Sequence, residues 1–396
     1  MTNIEKTILA VLISSASVMA SFISPELILI KNFFSLPNNQ LSQIMTLYLA
    51  GYLSGQIVWA YISNKIGRLA SIKSGMIISI LGAITIIHAM KMEWFYLFLA
   101  ARLLIAFGLA SGLVCGFTMV KENLSDQESK RYLAIIAVVF TASIYVSILL
   151  SGYLAKYTSL DFIMYSILLY NTTLFFLCFY MKKDAIPPRS DVKPNYSMNF
   201  ELQPKVIAFS LALSITTIIS YSYALYAPII TSQLFSLSPT DFGNYSLINM
   251  VFILLGGVLY LKLGKKLSES TMVSLSLLMI ITACSSVLLI TQLNIQPSAV
   301  GFFILCALLN LANGVIYPAA TYKALEYGHC KATSSAIMNL IKLSMPMIAL
   351  YVSGYFAAKE LTTFISSILL FALLYFFLLQ LTNLRFSGLY RNKIPQ

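Results

Sequence analysis

The sequence predicts an all-α membrane protein with twelve transmembrane helices arranged as two six-helix halves. Hydrophobic residues make up 59% of the chain and charged residues 10%, whereas a soluble domain has about 45–50% apolar and about 25% charged residues. The mean hydropathy is +0.83. A water-soluble chain of 396 residues could not bury this much apolar surface. The apolar runs are continuous and do not alternate with period two, which favours helices over a β-barrel.

Twelve apolar runs are long enough to cross a bilayer, which takes about twenty helical residues. The predicted spans are 7–30, 41–62, 70–90, 94–119, 132–155, 162–181, 205–231, 243–261, 270–291, 298–320, 332–355 and 361–383. The first run is too long for a signal-peptide core and has no A-x-A-like cleavage site, so we expect a retained helix.

The longest interruption lies in the middle of the chain, from Lys182 to Lys205, and is rich in proline, charge and asparagine. Such a composition is typical of a linker. We therefore predict an N-terminal half over 1–181, a cytoplasmic linker over 182–205 and a C-terminal half over 206–396.

The distribution of Lys and Arg predicts the orientation. With the N-terminus inside, twenty of the 26 basic residues fall on the cytoplasmic side. Four fall outside, Lys31, Lys91, Lys156 and Lys359, and two fall within the membrane, Arg102 and Lys342. Under the positive-inside rule this places both termini in the cytoplasm.

Other classes of function find little support in the composition. The basic residues occupy short loops and form no single basic face, so the net charge of +12 does not indicate nucleic-acid binding. The five cysteines share no metal-ligand spacing, and we expect neither a disulfide framework nor a metal site. No HExxH, GxSxG, paired Asp motif or nucleotide-binding P-loop occurs. We therefore expect neither an enzyme nor an ATP-driven pump, and no cofactor.

Two internal echoes indicate duplication. "AYISNKIGRL", starting at Ala60, aligns with "GVLYLKLGKK", starting at Gly257, when the chain is shifted by 197 residues. This shift matches Lys65 with Lys262, Gly67 with Gly264 and Arg68 with Lys265. The second echo is "FSL", which starts at Phe34 and again at Phe235, after the first helix of each half. Weak two-fold repetition of this kind marks many secondary transporters.

These residues resemble the major facilitator superfamily, and most closely its twelve-helix drug:proton antiporters, which include the bicyclomycin-resistance and multidrug exporters. The family loop signature G-x-L-x-D-R-x-G-R-R is matched in part by "AYISNKIGRL", and "YLAGYLSGQ" from Tyr48 precedes it. "RLLIAFGLASG" from Arg102 is similar to the fourth-helix motif of the family, and Ser24-Pro25 resembles a proline near the outer end of the first helix. In the second half, "NGVIYPAATYKAL" followed by "ATSSAIMNLI" resembles the stretch that joins helices ten and eleven.

The departures from the family pattern fall at informative positions. Asn64 stands where the family has Asp, Ile148 stands where the fifth-helix antiporter signature has Pro, and Ser21 replaces an acid that many relatives carry. The resemblance therefore implies transport by alternating access, while these losses weaken the case for broad drug export and for simple proton antiport.

The loop signature predicts a gate, in which Gly permits a tight turn and cations meet helix ends or acidic partners. Topological anchoring is the alternative. Relatives often place an acid at the position of Glu122, which makes it a candidate partner for Arg68. The predicted gating residues are Asn64, Lys65, Gly67, Arg68, Glu122, Lys262, Gly264 and Lys265.

An ionisable group inside a bilayer costs about 2.5–3.5 kcal/mol on insertion scales and is a functional candidate by default. Arg102 and Lys342 are candidates for binding substrate. A structural hydrogen-bonding role for Arg102 and a neutral packed amine for Lys342 are the alternatives. Glu26 is either a proton site or a boundary carboxylate that reaches the headgroups. The resemblance implies that Tyr223, Asn310 and Asn313 line the cavity, whereas belt tyrosines and helix-joining amides are the ordinary interpretation.

The resulting hypothesis is a secondary active transporter in the bacterial inner membrane, proton-coupled in the manner of the family that it resembles and more consistent with export than with import. Import of a nutrient or metallophore and broad multidrug efflux remain alternatives. With two positive residues, Arg102 and Lys342, and one negative residue, Glu26, the cavity would have a net charge near +1. This charge favours a carboxylate-bearing metabolite such as a polycarboxylate siderophore. The expected partners are a small-molecule substrate, protons and lipid, with the protein a monomer and no nucleic acid bound.

Overall fold

The computed structural model describes residues 1–181, 203–295, 297–327, 331–355 and 360–391. Every long element in these ranges is an α-helix. In chain order the helices are α1 (Asn3–Phe22), α2 (Leu27–Phe33), α3 (Asn38–Ile66), α4 (Arg68–Lys91), α5 (Phe95–Asn123), α6 (Asp126–Tyr157), α7 (Leu160–Leu177), α8 (Pro204–Phe235), α9 (Pro239–Leu263), α10 (Glu269–Gln292), α11 (Ala299–Glu326), α12 (Lys331–Tyr355) and α13 (Glu360–Arg391). A short 3₁₀ turn, Cys178–Tyr180, follows α7.

Eleven of the helices in the described ranges are long and apolar enough to cross a membrane. The twelfth crossing is α3, whose 29 residues are about 43 Å long at 1.5 Å per residue. Its many Ser, Asn and Gln side chains lower its hydropathy, and it packs against α5. The twelve predicted spans therefore correspond to α1 through α13, with α1 and α2 forming one interrupted crossing.

The first crossing is not the continuous run 7–30 that the sequence predicted. The chain leaves α1 after Phe22 and enters α2 at Leu27. Pro25 lies in the break, where its ring removes a backbone donor and disfavours helix at the preceding residue. The interruption places Glu26 at the N-cap of α2 and not inside a helix.

The described residues form two compact units. The first contains those of Met1–Ser197 and Ser236–Leu247, and the second contains those of Met198–Phe235 and Ile248–Gln396. In the first unit α5 packs against α1, α3 and α4, and in the second α8 packs against α11, α12 and α13. Residues 182–202 of the predicted linker and Cys330 lie outside the described ranges.

Small residues let the helices of each unit approach closely. A Cβ on Gly55 of α3 would lie 2.6 Å from the Phe107 carbonyl oxygen of α5, and one on Gly256 of α9 would collide with the Leu311 carbonyl oxygen of α11. Trp59 adds a hydrogen bond from Nε1 to the same Phe107 carbonyl, 2.9 Å away. Such close contacts drive helix association in a membrane, where lipid is as apolar as the side chains.

The two halves of the chain repeat each other at a spacing of 201 residues. Ser35 and Ser236 have φ of 51° and 53°, and Glu93 and Asn294 have φ of 48° and 56°. Both pairs are 201 positions apart, as are the bounds of α4 and α10, which contain 24 residues each. The "FSL" echo has this spacing and is therefore in structural register.

The alignment at a shift of 197 residues is wrong by one helical turn. Gly67 alone separates α3 from α4, whereas α9 ends at Leu263 and α10 begins at Glu269. Gly264 donates its N–H to the Tyr260 carbonyl at 2.8 Å, so it continues the last turn of α9. The structural equivalent of Gly67 is Ser268, whose hydroxyl caps α10 at Thr271 N.

Candidate functional site

Glu26 is fully buried in the first unit. Ser151 of α6 donates its hydroxyl to Glu26 Oε1 at 2.6 Å. Glu26 Oε2 has no hydrogen-bond partner among the described residues. The carboxyl group is therefore enclosed by protein, and one of its two oxygens makes no hydrogen bond among the described residues.

Arg102 of α5 is also fully buried, at 0% exposure. Its Nη1 donates to the Met19 carbonyl oxygen at 2.9 Å, and its guanidinium lies 4.3 Å from the centroid of the Tyr48 ring. Tyr48 in turn donates to the Ala16 carbonyl at 2.6 Å. These contacts join α5 to α1 and α3.

The carbonyl that Arg102 binds belongs to the last turn of α1, where backbone acceptors have no helical partner. No basic residue occurs in that turn of α1 itself. Arg102 therefore supplies both the missing donor and the positive charge that a helix C-terminus favours. The geometry supports the structural hydrogen-bonding alternative for this residue.

Lys342 lies near the middle of α12 and is half-buried. Its ammonium group is 5.6 Å from the centroid of the Tyr317 ring of α11, and Tyr317 is 47% exposed. The hydroxyl of Thr217 on α8 donates to the Lys342 carbonyl at 2.7 Å. The Lys342 amine thus has the Tyr317 ring of α11 beside it, while Thr217 of α8 binds the Lys342 backbone.

The other predicted wall residues are buried. Tyr223, Asn310 and Asn313 are 3%, 1% and 0% exposed. The Asn310 amide donates to the Cys306 carbonyl of its own helix at 2.9 Å, and Asn313 Nδ2 donates to the Thr216 carbonyl of α8 at 3.4 Å. Asn313 therefore links α11 to α8, as helix-joining amides do.

Gly67 connects α3 to α4 with φ of 93° and ψ of 163°. This backbone region is accessible essentially to Gly alone. Its carbonyl accepts from both the N–H of Ser71, at 3.2 Å, and the Ser71 hydroxyl, at 2.8 Å. The tight turn therefore depends on glycine at this position.

Arg68 is the centre of a polar network at this turn. Its Nη2 lies 3.1 Å from Glu122 Oε1 at the end of α5, which is the pairing that the sequence suggested. Its Nη1 donates to Ser63 Oγ at 2.8 Å and to Asn64 Oδ1 at 2.7 Å. Asn64, in place of the family Asp, thus still accepts from the arginine, but as a neutral group.

The other predicted gating residues make no comparable network. Lys65 is exposed and stacks over Tyr61, with Nζ 4.4 Å from the ring centroid. Lys262, Gly264 and Lys265 are exposed around the end of α9. They lie one turn away from the register of Arg68.

Sequence reasoning missed Ser151, Tyr317 and the ion pair of the second unit, Lys323 with Glu269. No local pattern distinguishes Ser151 or Tyr317 from other residues of their helices. The 201-residue spacing of the "FSL" echo carried a signal for the ion pair, because it aligns Glu269 with Arg68 and Lys323 with Glu122. In the described ranges no group of three or more His, Cys, Asp or Glu is placed to hold a metal ion.

Comparison with known proteins bears on what this architecture does. A sequence model described as the Major Facilitator Superfamily matches residues 7–350. A bicyclomycin resistance protein homolog of Haemophilus influenzae is 23% identical over an alignment of 371 residues that covers 88% of this chain and 89% of that protein. An uncharacterized transporter of Rickettsia bellii is 24% identical over an alignment of 333 residues that covers 79% of this chain and 80% of that protein.

Solved structures show the same fold at low sequence identity. A bacterial homolog of the human lysosomal transporter Spinster, in an inward-facing and occupied conformation, superposes with a TM-score of 0.73 at 14% identity and covers 96% of this chain and 97% of its own. A D-xylose–proton symporter gives a TM-score of 0.73 at 13% identity, with 93% and 96% covered. Because the family model matches residues 7–350, the chain belongs to the Major Facilitator Superfamily, and it is a twelve-helix, multi-pass membrane transporter of small molecules rather than an enzyme.

Proposed function

We propose that this protein exports a small carboxylate-bearing molecule across the bacterial cytoplasmic membrane in exchange for protons. Export is the direction suggested by similarity to a bicyclomycin resistance protein homolog. In this proposal the protein works as a monomer with both termini in the cytoplasm, the orientation that the distribution of its basic residues favours.

The substrate class is inferred from the environment of Lys342. Of the three charged residues predicted at membrane level, Glu26 and Arg102 are fully buried, while Lys342 is only half-buried. A ligand that reaches this face of the second unit meets one positive charge in a low-dielectric setting, which attracts anions. The Tyr317 ring lies 5.6 Å from the ammonium group, and Thr217 holds the Lys342 backbone through its carbonyl. A carboxylate, which a polycarboxylate siderophore would provide, fits this chemistry.

Arg102 does not take part in substrate binding in this proposal. Its guanidinium is engaged by the α1 carbonyl and the Tyr48 ring and has no exposed surface. Lys342 alone then carries the charge selectivity, and it does so without the two parallel hydrogen bonds that an arginine would give.

Glu26 is the proposed proton carrier. Keeping an unpaired charge inside a membrane protein is expensive, and intramembrane carboxyl groups often belong to proton relays. Glu26 is buried with one oxygen on Ser151 and the other without a partner among the described residues. A carboxyl that water reaches in only one conformation gains and loses its proton as the conformation changes.

Transport into proteoliposomes tests the proposal, with radiolabelled citrate as the anionic probe and ethidium as the cationic one. We expect a proton gradient without ATP to drive citrate movement. Lys342→Gln should lower it by at least tenfold, and Lys342→Arg should retain part of it. Lys91→Gln, at the exposed end of α4, is the matched control and should transport as the wild type does. Ethidium as the better substrate, or normal citrate transport by Lys342→Gln, would refute the anionic site.

A further inference from the structure

The two units carry the same ion pair with opposite polarity. In the first, Arg68 at the start of α4 lies 3.1 Å from Glu122 near the end of α5. In the second, Glu269 at the start of α10 lies 4.0 Å from Lys323 near the end of α11. Each acid stands 201 positions from a base, so the pairs occupy equivalent places.

Polarity matters because both pairs lie at helix ends. A helix N-terminus favours negative charge and a C-terminus favours positive charge. Arg68 and Glu122 each oppose the dipole of their own helix, so separating them leaves two unfavourable charges. Glu269 and Lys323 each agree with their dipole, so this pair opens at little cost.

The other contacts of Arg68 and Lys323 also favour a more persistent pair in the first unit than in the second. Arg68 also donates to Ser63 and Asn64 of α3, which holds its guanidinium beside Glu122. Lys323 instead donates to Glu326, one turn on in its own helix, at 2.6 Å. Glu326 therefore competes with Glu269 for the same ammonium group.

We propose that Glu269 and Lys323 are positioning residues for transport, the polarity-reversed counterpart of Arg68 and Glu122, and that Glu326 loosens this second tether by competing for Lys323. The inference rests on the transport function of the family and not on the proposed substrate. The second unit thus has a helix-end connection that opens more easily than the corresponding connection in the first unit.

Hydrogen exchange on the full-length protein in lipid nanodiscs tests the pairing of Glu269 with Lys323. For each substitution, exchange is measured on the partner helix, which does not carry the substituted residue. Glu269→Gln should speed exchange in the last turn of α11 about two- to fivefold, the range for an exposed ion pair. Glu326→Gln frees Lys323 for Glu269 and should slow exchange near the start of α10 by a similar factor. Glu360→Gln, in the first turn of α13, is the matched control and should alter neither region.

Reversing all three charges, E269K/K323E/E326K, keeps the pair and its competitor but sets both charges of the pair against their helix dipoles, as in Arg68 and Glu122. Separating the pair then costs more, so exchange at the two helix ends should be slower than in Glu269→Gln, which tests the pairing apart from the loss of any one side chain. The role in transport is followed by single-molecule energy transfer between dyes at Gln127→Cys and Lys266→Cys. Dwell times should lengthen in Glu326→Gln and shorten in Glu269→Gln. The proposal would be overturned if hydrogen exchange on the partner helix stayed unchanged in these variants, or if the dwell times did not respond.

Discussion

The turn at Gly67 permits the sharpest test of how backbone geometry controls this transporter. Its φ of 93° and ψ of 163° lie where a residue with a Cβ is strained by about 1–3 kcal/mol. Gly67→Ala must either hold this strain or rotate α4 relative to α3. Rotation would draw Arg68 away from Ser63, Asn64 and Glu122, which lie 2.7–3.1 Å from it.

A strain of 1–3 kcal/mol corresponds to a shift of about 5- to 150-fold in a conformational equilibrium. We expect Gly67→Ala to lower thermal stability and to change the rate of conformational exchange, with ligand affinity little affected. Gly67→Val should do so more strongly, because a β-branched residue tolerates positive φ still less.

The second unit provides the control. Gly264 does not have positive φ, and a Cβ there would lie 3.1 Å from the Tyr260 carbonyl oxygen, a contact that a small shift relieves. Thermal unfolding and single-molecule dwell times would be compared for the two alanine variants. Equal losses in both variants, or a collapse of binding with an unchanged exchange rate in Gly67→Ala, would refute the reasoning.

Three further predictions concern buried charge and topology. Arg102→Ala should lower the free energy of unfolding by about 2 kcal/mol or more, because it removes a charged donor from the Met19 carbonyl and a buried side chain from Tyr48. Unchanged thermal stability together with lost ligand binding would instead favour a substrate role for Arg102. Glu26→Gln should abolish proton movement, measured with a pH-sensitive dye in vesicles, while counterflow exchange persists, and normal proton movement would remove Glu26 from the coupling step. A cysteine at position 190 (Ser190→Cys), outside the described residues, should resist a membrane-impermeant maleimide in intact cells, and labelling from outside would contradict the topology.

The fold class and the family followed from local properties of the chain. Whether a run of about twenty residues is apolar enough to cross a bilayer depends on its own composition. The predicted spans therefore agree with the helices except at Pro25, where one run is two helices. The family resemblance, based mainly on the loop after α3 and the middle of the fourth predicted span, is confirmed by the match over residues 7–350.

The internal repeat shows where a local pattern misleads. Lys and Gly recur often in cytoplasmic loops, so a similarity between "AYISNKIGRL" and "GVLYLKLGKK" does not fix a register. Backbone conformation does, because the left-handed residues Ser35 and Ser236 mark the same turn in both halves of the chain. The structure thereby moves the counterpart of Arg68 from Lys265 to Glu269.

What the sequence determined by itself was which residues enter the membrane and that charges such as Glu26, Arg102 and Lys342 go in with them. What only the tertiary structure decided was what those charges meet. Arg102 is 83 positions from the Met19 carbonyl that it binds, and Glu26 is 125 positions from Ser151. The partners of a buried charge are set by which helix faces pack together, and that depends on side-chain shape along whole helices, which no short stretch of sequence contains.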